Sequence, residues 1–162
     1  MVEQMTIHAR TPLRERIAMI MVNAMKPVYF YMRRHRKAWT VTQDELCRMP
    51  AGTLGRDLGN FLTANGLMLM PKAEFHDVYH VLFRFGTTMP EETAIQFVSL
   101  GNGRYTLPHI VTNIVSLVFY PQHWDKYLQA YRTGRAASKF HHLDFEPMLR
   151  LQTSEVRDMI GV

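Results

Sequence analysis

The chain of 162 residues has a single cysteine, Cys47. One cysteine cannot form an intramolecular disulfide, which favours a reducing compartment, and it excludes a zinc site built from several cysteines. A signal-peptide pattern is also missing, because the first residues have no basic lead and the first sizeable apolar stretch begins only at Ile17. That stretch is interrupted by Asn23 and Lys26, so it is too broken for a membrane span of about 20 apolar residues. We therefore expect a cytoplasmic protein without a transmembrane segment.

Several functional signatures are missing as well. The sequence has no glycine-rich phosphate loop and no Ser/His/Asp arrangement. No recognised nucleic-acid-binding motif accompanies its basic residues, so nucleic acid is not an expected partner. With 47% hydrophobic and 20% charged residues, the composition is that of a globular protein rather than a disordered one. A single domain over residues 1–162 is expected, with a substantial core.

Glycine and proline divide an otherwise helical sequence. Thr11-Pro12 predicts the start of a first helix, and Pro27 should kink or end it. The apolar residues between 107 and 120 form a set broad enough for a buried helix. Further predicted segments are a helical piece over 28–37, a loop over 41–52, helices over 53–64 and 124–132, and a last helix from about residue 154. The expected fold is an all-α, single-domain bundle of about six to eight helices.

One compact constellation in the middle of the chain combines two imidazoles with two carboxylates. It consists of His76, Asp77 and His80, followed after eleven residues by Glu92. These groups are ligands that a divalent metal can use together. On a helix with 3.6 residues per turn, His76 and His80 lie about 40° apart and Asp77 lies about 60° from His80. All three fit within one arc of about 100°, so they can converge on one ion.

Glu92 must reach this ion from the next helix. Gly86 predicts the end of the first helix, because glycine accepts the left-handed conformation there. Thr88 and Glu91 form a capping-box pattern that starts the second helix and places Glu92 in its first turn. A very short loop makes the two helices antiparallel neighbours, with the metal site between them. The alternative, in which the histidines are ordinary core residues, would leave Asp77 buried and unpaired among apolar side chains, which is costly.

The pattern His-Asp-x-x-His, eleven residues, Glu resembles the signature of the coenzyme Q (ubiquinone) biosynthesis protein four family. Four flanking segments agree with it, and the resemblance covers about residues 50–162. These segments are Thr53-Leu54-Gly55-Arg56, Tyr131-Arg132-Thr133-Gly134-Arg135, Leu143-Asp144-Phe145-Glu146 and Glu155-Val156-Arg157. The resemblance implies an all-helical protein that binds Zn²⁺ or a similar divalent ion. The family's ligands correspond here to His76, Asp77, His80 and Glu92.

The resemblance also implies a function in ubiquinone biosynthesis. The family acts on a polyprenylated benzoquinone precursor, or organises the enzymes that do. Its members have been linked to oxidative removal of the ring carboxylate with hydroxylation at the same carbon, and they are regarded as assembly points for the biosynthetic complex. Whether this chain is a metal-dependent oxidative decarboxylase or a lipid-binding scaffold stays open at this point. The expected partners are a prenylated quinone precursor or other prenyl lipid, the other quinone-biosynthesis enzymes, a membrane surface and a second copy of the chain.

Further polar residues are candidates for substrate binding. Arg84 lies one turn beyond His80 and could face an anionic substrate group, as could Lys72 and Arg56; the alternative for each is a solvated surface position. Twelve methionines suit a pocket for a flexible hydrocarbon, and gap filling in an ordinary helical core explains them equally well. His109 is expected to be structural.

A basic cluster follows the first apolar stretch in a chain with a net charge of +5. It comprises Arg33, Arg34, Arg36 and Lys37. An apolar helix that ends in basic residues can lie on an anionic membrane surface, which predicts peripheral attachment at the inner face of a membrane. The alternative is a solvated helix end, since basic residues favour helix C-termini in any protein.

A different class of function is a histidine-aspartate metal phosphohydrolase. That chemistry usually needs an upstream histidine and a distal aspartate in addition to the central pair. His8 or His35 and Asp125 or Asp144 are the residues available for these roles. Phosphatase activity on nucleotides would support this alternative, whereas a copurified prenyl lipid would support quinone biosynthesis.

Overall fold

The structure, a computed structural model, describes residues 13–24, 26–32 and 34–162. These residues form nine α-helices and contain no β-strand. The helices are α1 (Leu13–Ala24), α2 (Lys26–Met32), α3 (Gln43–Cys47), α4 (Leu54–Ala64), α5 (Glu74–Phe83), α6 (Met89–Gly101), α7 (Leu107–Phe119), α8 (Trp124–Ala136) and α9 (Thr153–Ile160). Apart from the two shortest, α2 and α3, seven helices of at least eight residues remain. The predicted all-α bundle of about six to eight helices is confirmed.

Most predicted helix starts agree with the structure. Thr53 caps α4 as expected, and its hydroxyl oxygen accepts a hydrogen bond from the backbone N–H of Arg56. The expected break near Pro27 falls between α1 and α2. The last helix starts at Thr153, about one residue earlier than predicted. The predicted helix start at Thr11-Pro12 lies outside the described residues.

The prediction of a loop over residues 41–52 is wrong, because α3 forms inside it. Thr42 and Glu45 form a capping box, in which each side chain pairs with the other residue's backbone N–H. This pattern satisfies two N–H groups that the first turn leaves without partners. Leu46 then anchors the short helix in the core, where it is fully buried. The Thr-x-x-Glu pattern was present in the sequence and outweighs the nearby turn residues.

The core lies around α4, α5 and the C-terminal segment. Leu54, Leu58 and Leu62 recur at helical spacing on α4 and are fully buried. On α5, Tyr79 packs edge-on against Phe140 and Phe145, with ring centroids 5.2 and 6.0 Å away. The segment after α8 therefore packs against α5. Because α5 carries His76 and His80, this segment helps to position both histidines.

The most extensive helix contact joins α6 and α8. It is made possible by Gly101 on α6 and Gly134 on α8. A Cβ atom at Gly134 would overlap the carbonyl oxygen of Val98, and one at Gly101 would overlap the carbonyl oxygen of Tyr131. The two backbones touch directly at these glycines, which fixes the position of α6 relative to the rest of the bundle.

The prediction of a buried helix over residues 107–120 is wrong for most of its aliphatic residues. Among them, Ile114 is 56% and Val118 68% exposed. We call the exposed set of α7 the aliphatic surface, which consists of Leu107, Ile110, Ile114 and Val118. The opposite face of α7, which carries His109, Asn113 and Ser116, is buried. The helix thus buries several polar residues together with Val115, and it leaves most of its other aliphatic residues at least partly exposed.

The helices next to α7 also expose apolar residues. α1 contacts α7, and α2 contacts both. The exposed residues are Leu13, Ile17, Ile20 and Met21 on α1, and Tyr31 and Met32 on α2. Within the described ranges, no helix is both long and apolar enough to cross a membrane.

Candidate metal centre

Three side chains from α5 and α6 meet in the interior. His76 and His80 lie one turn apart on α5, and Glu92 lies in the first turn of α6. Nε2 of His76 is 3.4 Å from Oε2 of Glu92, and Nε2 of His80 is 3.2 Å from Oε1. One ligand atom from each residue lies within 4.8 Å of the other two. We call this group the triad; it has the size and composition of a site for one metal ion.

The outer nitrogens of both histidines face oxygen atoms. Nδ1 of His80 is 3.1 Å from the carbonyl oxygen of Phe85. Nδ1 of His76 is 3.6 Å from Oδ1 of Asp77, which is an electrostatic contact rather than a hydrogen bond. Metal-binding histidines commonly place their second nitrogen against a carbonyl or carboxylate, which orients the ring. This arrangement directs both Nε2 atoms toward Glu92.

The turn after α5 creates the contact with Phe85. The helix ends at Arg84, which has a left-handed conformation with φ of 55°. The predicted stop at Gly86 is therefore wrong by two residues. The left-handed turn brings Phe85 back over the helix end, where its N–H donates to the carbonyl oxygen of His80. A non-glycine residue in this conformation is uncommon, and here it places the carbonyl that orients His80.

The C-terminal helix holds the same end of α5. The guanidinium of Arg157 on α9 donates to the carbonyl oxygens of Leu82 and Val81, at 3.0 and 2.7 Å. These carbonyls belong to the last turn of α5, which has no intrahelical partners for them. Arg157 therefore secures the helix that carries both histidines.

Burial and charge act in opposite directions on the triad. Burial by itself would lower the pKa of His76, but the carboxylates of Asp77 and Glu92 outweigh burial and raise it. Burial would raise the pKa of Glu92, but the nearby imidazoles of His76 and His80, with their positive charge, hold it far below its usual range. Glu92 is therefore an anion and an available ligand at neutral pH.

Two facing atoms of the triad are buried without a hydrogen-bond partner among the described residues. They are Nε2 of His80 and Oε1 of Glu92. Buried polar atoms without partners are costly, and in native proteins they are commonly explained by a bound water or ion. Two imidazoles and one carboxylate are a donor set that Zn²⁺ accepts, with a fourth position left for another ligand. The residues present fit a divalent metal.

Asp77 was predicted as a further ligand. It is buried, but it lies outside the triad and contacts the outer side of His76. Its role as a ligand stays a prediction.

The predicted substrate-binding residues are not part of the triad, and two of them donate to backbone carbonyls elsewhere in the described part of the chain. Arg56 donates to the carbonyl oxygens of Cys47 and Met49, so it ties α4 to the end of α3. The ammonium of Lys72 donates to the carbonyl oxygen of Arg34 at 3.2 Å. Arg84 is exposed at the end of α5. Their roles in substrate binding stay predictions.

Three residues of the basic cluster are exposed, namely Arg34, Arg36 and Lys37, while Arg33 lies outside the described residues. The guanidinium of Arg34 lies 3.9 Å from the ring centroid of Tyr31. Arg36 and Lys37 line one side of a cavity of about 260 Å³ between residues 36–39 and 142–146. The cluster thus adjoins both exposed aromatic surface and this cleft.

The residues available to a phosphohydrolase are not gathered at the triad. His35, Asp125 and Asp144 are exposed. None of them joins the triad within the described part of the chain. His8 lies outside the described residues. No contact in the structure favours this alternative.

Sequence reasoning missed one feature of the site. His109, Asn113 and Ser116 share one face of α7 and are buried. Their spacing of four and three residues marks a single helical face. This pattern was readable in the sequence, but the surrounding aliphatic residues obscured it.

Comparisons with known proteins identify the family of the chain. A family model described as coenzyme Q (ubiquinone) biosynthesis protein Coq4 matches residues 68–162, more than half of the chain, including the whole triad. A crystal structure of a protein assigned to ubiquinone biosynthesis from Nostoc punctiforme has the same fold, with a TM-score of 0.63 and 18% identity. The match covers 92% of this chain and 81% of that one. No match was found among curated proteins. The chain belongs to the Coq4 family of coenzyme Q biosynthesis proteins.

Proposed function

We propose that this protein binds a divalent metal, Zn²⁺ or a similar ion, at His76, His80 and Glu92, and uses it in ubiquinone biosynthesis. The observation that carries the proposal is the pair of unpartnered buried ligand atoms that face each other in the triad. The triad lies within the residues that match the family. Proteins rarely bury such atoms without a ligand.

The proposed substrate is a polyprenylated hydroxybenzoate. A bound divalent ion is a Lewis acid that polarises carboxylate and phenolic oxygens. The protein's own residues hold the ion, orient His80 through Phe85 and His76 through Asp77, and keep bulk water away from the buried side of the site. The prenyl chain would lie along apolar helix surface.

Either ring decarboxylation or assembly of other enzymes could follow from this binding. In the reaction, the bond from the ring carbon to its carboxylate breaks, carbon dioxide leaves, and a hydroxyl oxygen is attached to the same carbon. That change is a two-electron oxidation, so dioxygen or an equivalent oxidant must be supplied. Turnover of a prenylated hydroxybenzoate by the purified metal-loaded protein supports the enzyme, and binding without turnover supports the scaffold.

Metal analysis tests the site directly. The wild type should hold about one ion per chain, and His80→Ala should lose most of it because that ring is buried and points at Glu92. His35→Ala is the matched control, since His35 is exposed and outside the triad. Asp77→Asn separates two roles: the metal content falls sharply if Asp77 is a ligand and changes little if it only orients His76. Equal metal in the wild type and His80→Ala would contradict the proposal.

We also propose peripheral attachment to an anionic membrane. The exposed apolar residues of α1, α2 and α7 and the exposed basic residues after α2 support it. Each basic residue near an anionic surface contributes about 1 kcal/mol, and this attraction weakens with salt. Changing Arg33, Arg34, Arg36 and Lys37 to Gln should reduce sedimentation with anionic vesicles and leave metal content intact. If the variant sediments like the wild type, the cluster is a solvated helix end.

A further inference from the structure

The buried face of α7 carries polar groups that the fold does not fully use. Ser116 is paired, because its hydroxyl lies 3.0 Å from that of Thr93. His109 is paired at one nitrogen, since Nδ1 lies 2.8 Å from the hydroxyl oxygen of Thr106. Asn113 is 4% exposed, and neither its amide nitrogen nor its amide oxygen has a hydrogen-bond partner among the described residues. A carboxamide that is buried and unpaired at both ends destabilises a protein unless something else binds it.

The orientation of α7 makes this cost harder to explain by packing. Turning the helix the other way would bury Ile114 and Val118 and bring Asn113 into water. The structure does the opposite and leaves both aliphatic residues more than half exposed. Polar side chains on the buried side of a helix need hydrogen-bond partners there.

The polar face of α7 borders the triad. The Thr93–Ser116 contact joins α6 and α7 at the residue that follows Glu92 in sequence. Asn113 lies about one turn before Ser116 on the same face. His109 lies one turn further on the same face. The face therefore starts at the partner of Thr93, the neighbour of Glu92 in sequence, and continues along α7.

His109 is neutral in this position. Burial is the largest cause, and the positive charges of Arg104 and His76 add to it; together they lower the pKa of His109 to about 3. A neutral imidazole has one donor and one acceptor, and a carboxamide has both as well. The buried face of α7 can thus donate and accept hydrogen bonds through His109 and Asn113 without carrying a charge.

We propose that Asn113 is a specificity-determining residue that binds an uncharged oxygen substituent on the ring of an aromatic carboxylate held at the triad. The inference rests on the proposed function and deepens it. An ion at the triad takes the anionic group, and Asn113 takes the ring hydroxyl, because a carboxamide can accept from a phenolic O–H or donate to its oxygen. Because the buried face of α7 carries no charge, it does not compete with the metal for the carboxylate.

Binding of two probes to two variants tests this assignment. The probes are 3-geranyl-4-hydroxybenzoate and 3-geranylbenzoate, which lacks the ring hydroxyl, and affinity is measured by calorimetry on zinc-loaded protein. Asn113→Leu has nearly the same size as Asn113 but no hydrogen-bonding atoms. It should weaken binding of the hydroxylated probe about tenfold, as expected for one neutral hydrogen bond, and leave the other probe unchanged. Asn60→Leu is the matched control, because Asn60 is exposed on α4.

The outcomes separate the inference from the proposed function. If the wild type binds neither probe, the proposed substrate class is wrong and the inference falls with it. If the wild type binds the hydroxylated probe and Asn113→Leu binds it equally well, Asn113 only holds a buried water, and the inference alone is overturned. Equal weakening of both probes also overturns it, since that result indicates altered packing. Asn113→Ala is the second variant if Asn113→Leu does not fold, and the same selective loss is expected.

Discussion

Helices α6 and α7 begin with the same sequence pattern but differ in which of their residues are buried. Both have thirteen residues, a threonine at the N-cap and a proline in the first turn. α6 is buried along much of its length, including the candidate ligand Glu92 and apolar residues such as Ile95 and Val98. α7 buries its polar face and exposes most of its aliphatic residues. Similar start patterns and apolar content therefore do not determine which side of a helix faces the core.

The difference lies in what each helix packs against. α6 lies against α8 at direct backbone contact through Gly101 and Gly134, which leaves no room for water. α7 meets α6 on its polar side, where the hydroxyls of Thr93 and Ser116 lie 3.0 Å apart. The close contact between α6 and α8 is stabilised by burying apolar side chains, whereas the buried face of α7 carries polar side chains.

The largest effect is expected at the α6–α8 contact. Gly134→Val should lower the free energy of unfolding by about 3 kcal/mol or more, because its side chain would overlap the backbone of Val98 and a tightly packed contact cannot expand. Urea unfolding measures the change. Gly66→Ala is the comparison variant, since Gly66 has open space around it and only the strain of its positive φ should cost stability, about 1–2 kcal/mol. A loss below about 1 kcal/mol for Gly134→Val would mean that the α6–α8 contact is loose.

Acid should act on α7 through His109. Its folded-state pKa is about 3, so the unfolded chain takes up a proton below its usual value of 6.5 while the folded protein does not. Stability from a neutral His109 is thus complete above pH 6.5 and falls as the pH decreases toward 3, by about 1.4 kcal/mol per unit. His109→Gln removes the contribution of His109 to the pH dependence of stability. The contribution of His76 remains and has the opposite sign, because its raised pKa stabilises the fold at lower pH. Urea unfolding at pH 7, 6 and 5 should show the wild type losing stability relative to the variant; parallel profiles would contradict a buried neutral His109.

The hydroxyl pair between the two helices should give a smaller effect. Thr93→Val leaves Ser116 buried without a partner, which costs about 1–2 kcal/mol. Adding Ser116→Ala to the same protein should recover much of that loss, because both polar atoms are then gone. A double-mutant cycle by thermal unfolding measures this coupling. Additive losses would show that the two hydroxyls do not depend on each other.

The smallest effect is expected on the aliphatic surface. Ile114→Ser should change the free energy of unfolding by less than about 0.5 kcal/mol, because the residue is already largely exposed. Ile95→Ser on α6 is the contrasting variant and should cost several times more, since Ile95 is buried. A large loss at Ile114 would indicate that α7 is covered in solution.

The local structure of the metal motif was predictable to a large extent. The helical spacing of His76 and His80 and the start of the next helix at Thr88 predict that Glu92 lies beside them, as it does in the structure. The exact end of α5 was not predictable, because a left-handed Arg84 depends on the contacts of the following turn rather than on its own preference. Spacing alone could not show whether Asp77 binds the metal or only orients His76.

The sequence by itself determined the helices, their caps and the set of residues able to bind a metal, because these depend on local spacing and on side-chain chemistry. Only the tertiary structure decided that Arg157 secures the end of α5 and that the carbonyl of Phe85 orients His80. It also decided that α6 and α8 touch at two glycines and that α7 buries Asn113. Such choices arise from contacts between residues far apart in the chain. A helical period shows that a helix has two faces, but the free energy of packing and the polar site at the interior decide which face is buried.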